Sequence, residues 1–187
     1  MRQSREEKAK THERIVETAS RQIREQGLDG PGVAEIMQAA GLTHGGFYKH
    51  FGSRDDLIAE ATENALAASD RFVHELTDDA KDPLTAFVDW YLSAEHRDGP
   101  GNGCAVAALG GDVRRGDDRV RAAYREQVER YLGDVERFLG GGEDARRRAI
   151  LAFSSLVGSV VLARAVDDEA LSDEISSAVS EGVRELR

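Results

Sequence analysis

Apolar residues recur along most of this chain at spacings of three and four, the period of helices that bury one face, and no segment alternates with the period of two that a strand needs. A first helix is expected over about 8–26, with Ile15, Ala19 and Ile23 on one face and Gly27 as its stop. Val33, Ile36, Met37 and Ala40 line the next, which Gly41 ends. Leu42 re-enters the core, Thr43 is placed to cap a new helix through its hydroxyl, and 44–50 carries only Phe47 as a clear anchor before Phe51. Ser53, with Asp56 three residues on, reads as a capping box opening a long helix through Leu57, Ile58, Ala61, Ala65, Phe72 and Leu76. Asp82-Pro83 starts another, with Leu84, Phe87, Val88 and Tyr91 on one face until the turn 98–103. Further helices are expected over 104–113, 118–139, 143–166 and 172–186, the third of these after a run of three glycines. The fold class is therefore all-α, with about nine helices.

The segment 33–54 carries the chemistry. Two short helices joined by a Gly-containing turn, the second one small and basic, fit a helix-turn-helix whose second helix enters the major groove of DNA. A plain surface loop explains Gly45-Gly46 poorly, because each Gly in a helix interior costs roughly 1 kcal/mol relative to Ala. Missing side chains make sense where backbone approaches a phosphate or a base edge. Thr43, Tyr48, Lys49, His50 and Arg54 are the expected phosphate contacts, while His44, Gly45 and Gly46 lie at the amino-terminal end, where base edges are read. Phe47 and Phe51 fall at core spacing and are assigned to packing.

Ile36, Ala40-Gly41-Leu42-Thr43, Gly45, Phe47-Tyr48, His50-Phe51 and Ser53-Arg54, followed by Leu57, resemble the amino-terminal signature of TetR/AcrR-type transcriptional regulators. The resemblance spans about 11–61. Two departures stand out: Gly32 after Pro31 replaces the usual Thr before the second helix, and Ala34 replaces a basic or polar residue, so one or two phosphate contacts common in the family lack their usual side chains here. The resemblance implies a helix-turn-helix domain over 1–55, and over 56–187 a helical domain for effector binding and dimerisation. Its expected partners are a double-stranded DNA operator of palindromic half-sites, a small-molecule effector and a second copy of the chain. The expected function is a repressor released by its effector; an activator, a global regulator without a ligand, or a non-catalytic interaction module are the alternatives.

The chain's net charge of -10 runs counter to DNA binding. The acidity lies outside the DNA-reading part: residues 1–58 hold 9 basic and 9 acidic side chains, and the remainder 16 and 26. Affinity should then rest on a few well-placed cations rather than a broad positive field. The single cysteine, Cys104, excludes an internal disulfide and a cysteine-rich metal site and fits a cytoplasmic chain. The charged stretch 1–10 lacks the apolar run of an export signal, and 149–163 reads as a buried helix rather than a membrane span.

The large side chains of the middle helices, Phe72, Phe87, Trp90, Tyr91, Leu109, Tyr124 and Phe153, pack a core. The family resemblance implies that part of this set lines a cavity for a small apolar or amphipathic effector. Cys104 belongs either to that wall, as a thiol open to electrophiles, or to the core as a small hydrophobe. Ile150, Val157, Val160, Val161, Ile175, Val179 and Val183 on the last two helices are expected to pair with their copies in a four-helix dimer interface, with Ser155, Gly158 and Ser159 permitting close approach. Gly99, Gly101 and Gly103 lack the preceding strand of a dinucleotide loop. No close histidine pair points to a metal, no cofactor is expected, and the paired carboxylates fall at helix ends, so no catalytic centre is expected either.

Overall fold

The computed structural model describes residues 5–187; the first four, which open the charged stretch just discussed, lie outside the described residues. Nine α-helices follow in order: α1 (Arg5–Gln26), α2 (Val33–Ala39), α3 (Arg54–Thr77), α4 (Pro83–Tyr91), α5 (Ala94–Asp98), α6 (Ala105–Leu109), α7 (Asp118–Phe138), α8 (Ala145–Ala165) and α9 (Glu169–Arg184). Short 3-10 turns occupy His44–Lys49, Pro100–Asn102 and Val113–Arg115.

Punctuation follows local chemistry. Ser53, Asp82, Asp117 and Asp168 each accept a hydrogen bond from a backbone N–H three residues on, satisfying a donor that the first turn cannot pair. Gly140, Gly141 and Gly142 all take positive φ after α7, a conformation that side chains with a Cβ resist.

Three boundaries differ from expectation. The helix expected after Pro83 stops at Tyr91, and Ser93 caps a separate short α5 by accepting from His96 N–H at 3.1 Å. The 104–113 helix is only α6, followed by a turn and a 3-10 segment. Asp168 caps α9 earlier than the apolar pattern indicated, because capping is decided by one side chain rather than by periodicity.

Helix α3 organises the molecule. Its first turns contribute Leu57, Ile58 and Ala61, and its later turns Leu66 and Val73, to one continuous core that includes Ile15, Ile36, Phe47 and Phe51 as well as Phe87, Tyr91, Tyr131 and Phe153. It packs on α1 at one end and on α7 further along. Ser20 Oγ donates to Ala61 O at 2.7 Å, and Ser69 Oγ accepts from Ala105 N–H at 3.1 Å, docking both α1 and α6 on α3.

Candidate nucleic-acid interface

The reading segment is built by a turn that leaves little freedom. Gly41 takes φ of +71°, and Leu42 N–H donates to Met37 O at 2.8 Å, closing α2 as the chain swings away. Thr43 is extended and starts the next turn, but its hydroxyl makes no capping bond, contrary to expectation. The side chain is exposed instead.

Residues 44–49 form a 3-10 helix rather than an α-helix, in keeping with two adjacent glycines and a run of six residues. Phe47 is buried at 1% exposure, stacked on Phe51 with centroids 5.5 Å apart, and this anchor turns the remaining side chains outward. His44, Gly45, Tyr48 and Lys49 are exposed, Tyr48 at 73%. A Cβ on Gly45 would meet nothing within 4 Å, so internal packing does not require glycine there. Gly46 is half-buried, and a Cβ there would lie 3.5 Å from Met37 Cε.

Two expected phosphate contacts are corrected. Arg54 turns inward: its Nη2 donates to Leu28 O at 2.7 Å and Pro31 O at 3.1 Å, fastening the turn between α1 and α2 to the start of α3. It positions the reading segment. His50 is half-buried beside Phe51 and His12, and its Nδ1 is sealed without a partner, so that nitrogen is not available to a phosphate. Burial, with His12, Lys8 and Lys49 nearby, lowers its pKa, which favours the neutral ring.

The expected effector residues do not share one cavity. Phe72 and Trp90, with centroids 4.9 Å apart, border a cleft of about 220 Å³ together with Arg24, Ser69 and Asn102. Phe87, Tyr91, Cys104, Leu109 and Phe153 are instead sealed in the core, none above 4% exposed. Tyr124 is half-buried and donates to Val106 O at 2.9 Å. The physical reason is that aromatic side chains at helical spacing fill a packed interior as readily as they line a pocket. Burial also pushes the Cys104 thiol pKa up, which withholds the thiolate an electrophile needs. The packing role fits; the sensor role does not.

The expected interface set divides as well. Val160 and Val183 are each 2% exposed and belong to the chain's own core, Val157 and Val179 are half-buried against it, and Ile175 is half-buried. Ile150 and Val161 of that set are exposed, and Leu151 and Leu162 on α8 and Leu171 on α9 are exposed as well, all five between 42% and 54%. Between Ala149 and Ala163 helix α8 carries no charged residue and has apolar residues on more than one side, so spacing alone leaves its phase open. By length and composition it passes for a membrane span, with mean hydropathy 1.5; here one side packs between α7 and α9.

Sequence reasoning missed two features. Asp112 Oδ2 accepts from Leu28 N–H at 3.2 Å, and Arg115 Nε lies 3.8 Å from Asp29, so the turn after α6 grips the end of α1. Asp70, His74 and Asp134 also come together; the i, i+4 pair on α3 was legible, but Asp134 arrives from α7 with no local signal.

Residues 15–61, which span α1, α2, the reading segment and the start of α3, match the family model for bacterial regulatory proteins of the tetR family. Over these residues the chain is similar to the TetR family of transcriptional regulators. An uncharacterised HTH-type transcriptional regulator of Mycobacterium tuberculosis is 29% identical over 81% of this chain and 83% of its own length. The AcrR regulator of Shigella flexneri is 36% identical, over 45% of this chain and 40% of its own. Among solved structures, a TetR regulator from Chloroflexus aurantiacus superposes with a TM-score of 0.81 at 21% identity, covering 96% of each chain. Reduced NemR of Escherichia coli gives 0.79 at 19%, covering 94% of this chain and 96% of the other. TetR-family relatives are DNA-binding regulators rather than enzymes.

Proposed function

We propose that this chain is a homodimeric, cytoplasmic repressor of the TetR family that leaves a palindromic operator when a small molecule binds its helical body. The DNA-reading unit is assigned to 1–55, and effector binding and dimerisation to 56–187. Thr43, His44, Gly45, Gly46, Tyr48 and Lys49 meet the DNA. The observation carrying this reading is the run of exposed donors held outward by the buried Phe47. Lys49 and Tyr48 position the helix on phosphates, and His44 reads a base edge at its start.

Response to a ligand rests on mechanical continuity. Helix α3 contributes along its length to the one continuous core, and the contacts of Asp112 with Leu28 and of Arg115 with Asp29 join the body to the end of α1. A ligand that shifts α7 or the 110–116 turn therefore tilts the reading segment. In a two-fold dimer the two recognition helices need a separation of about 34–36 Å to enter successive major grooves, and a tilt that changes it releases DNA. A cleft of about 270 Å³ at this junction, bordered by Leu28, Arg54, Ile58, Arg115 and Val120, and the cleft beside Trp90 are the two places for an effector.

The test is a gel shift with the DNA upstream of the chain's own coding region, with and without candidate effectors, followed by selection of bound sequences with His44→Ala. Binding relieved by a compound, and a changed consensus for the variant, support the reading. Binding that no compound alters points to a global regulator without a ligand, and failure to bind DNA refutes the proposal.

A further inference from the structure

On α3, Asp70 and His74 are one turn apart and share a face. Helix α7 brings Asp134 against them, and one donor atom from each of the three lies within 4.8 Å of the other two. His74 Nδ1 lies 2.9 Å from Asp70 O, an N–H donation that fixes the ring and leaves Nε2 as its lone-pair nitrogen. That Nε2 is 3.9 Å from Asp134 Oδ1.

Asp134 is the informative member. Its side chain is nine-tenths buried, with Oδ1 accepting from Arg137 Nη2 at 2.8 Å and Oδ2 sealed from solvent without any hydrogen-bond partner. An ionised carboxylate with a buried, unpaired oxygen is costly unless a cation meets it. Burial accordingly raises its pKa. Opposite, Asp70 Oδ1 accepts from Gln127 Nε2 at 2.7 Å, which orients that carboxylate, and Arg130 Nε lies 3.7 Å away.

We propose that Asp70, His74 and Asp134 bind a divalent first-row transition cation, with Zn2+ as the representative, clamping α3 to α7. One imidazole nitrogen and two carboxylate oxygens suit Zn2+ and its neighbours better than Mg2+ or Ca2+, which favour all-oxygen sets. Bonds of about 2.0–2.2 Å require the donors to close by roughly 1 Å from their present spacing, within reach of side-chain rotation. The His74 side chain is 40% exposed, which gives the ion a route in, and water completes the coordination. Arg130 and Arg137, at 48% and 60% exposure, now neutralise the carboxylates and swing to solvent when the ion enters. Their presence makes a specific demand: removing one of these charges should tighten metal binding, which a purely structural ion-pair network does not predict.

The experiment is calorimetric titration of chelator-treated full-length protein with ZnCl2, and with CoCl2 for its spectrum. Wild type should take up one ion per chain. His74→Ala and Asp134→Asn should each weaken binding by at least about tenfold, Arg137→Ala should strengthen it, and His12→Ala, at a histidine outside the cluster, should leave it unchanged. The Co2+ spectrum should lack a thiolate charge-transfer band, excluding Cys104 as the ligand. His74→Gln is the second variant should Asp134→Asn alter the helical circular dichroism. Absence of saturable uptake by wild type overturns the proposal and leaves a histidine held between two carboxylates; uptake unaffected by His74→Ala or His74→Gln overturns it equally.

Discussion

Replacing Leu162 by Glu should separate the proposed dimer into folded monomers. Leu162 is 54% exposed on α8, beside Val161 at 47% and within a face that continues through Ile150, Leu151 and Leu171. Covering the exposed half of a leucine contributes about 1 kcal/mol, since full burial is worth about 1.5–3 kcal/mol. A two-fold interface counts each substitution twice, so Leu162→Ala alone should cost about 2 kcal/mol, roughly a thirtyfold rise in the dimer dissociation constant. Glutamate adds the desolvation of an unpaired carboxylate in each protomer, several kcal/mol apiece, and raises the effect to at least about a thousandfold. Monomer stability should change by only about 1 kcal/mol, because no more than half of the side chain is covered within the chain itself. Val160→Glu makes the internal contrast: at 2% exposure it places a carboxylate inside the monomer and should unfold it. Sedimentation across a concentration series, paired with urea melts, reads both quantities. A folded Leu162→Glu protein that still sediments as a dimer at micromolar concentration refutes this interface.

Lys49→Ala should weaken binding to all DNA sequences and lower the slope of log K against log salt by about 0.9, and an unchanged slope removes the lysine from the phosphate backbone. Arg54→Ala, by contrast, should leave the slope alone but destabilise the protein by about 1–2 kcal/mol, through the loss of its bonds to Leu28 and Pro31 carbonyls; a melt that matches wild type overturns its positioning role. His96 is buried with Nδ1 against Tyr91 O and Nε2 accepting from Cys104 N–H, and burial, assisted by Arg164, lowers its pKa to about 4. The folded state thus binds fewer protons than the unfolded state between about pH 4 and 6.5, and about 3 kcal/mol of stability should be lost as pH falls through that window. His96→Gln should flatten that part of the stability curve in urea melts, and an unaltered slope would assign it to other groups. Cys104 should resist thiol reagents until the protein unfolds; titration at the native rate of an exposed thiol would return it to the effector wall.

Local information determined much of this protein from sequence alone. Capping side chains, glycines and the apolar period are written into neighbouring residues, so the all-α class and the main helices were legible from residue types at short spacing. The reading segment was legible for the same reason, since Gly41, Phe47 and Phe51 set its turn and anchor within a few positions. Tertiary structure decided which way a side chain faces when its helix offers more than one apolar side. Val160 and Val161 are indistinguishable by type, and only the packing of α7 and α9 on α8 turns one inward and leaves the other exposed. It also decided which polar groups are already taken. Arg54 looks like a free cation until the Leu28 and Pro31 carbonyls, 26 and 23 residues away in sequence, are seen to hold it. Asp134 meets Asp70 and His74 only because α3 and α7 lie side by side. Helical periodicity has a memory of a few residues, whereas burial and pairing depend on the whole chain at once.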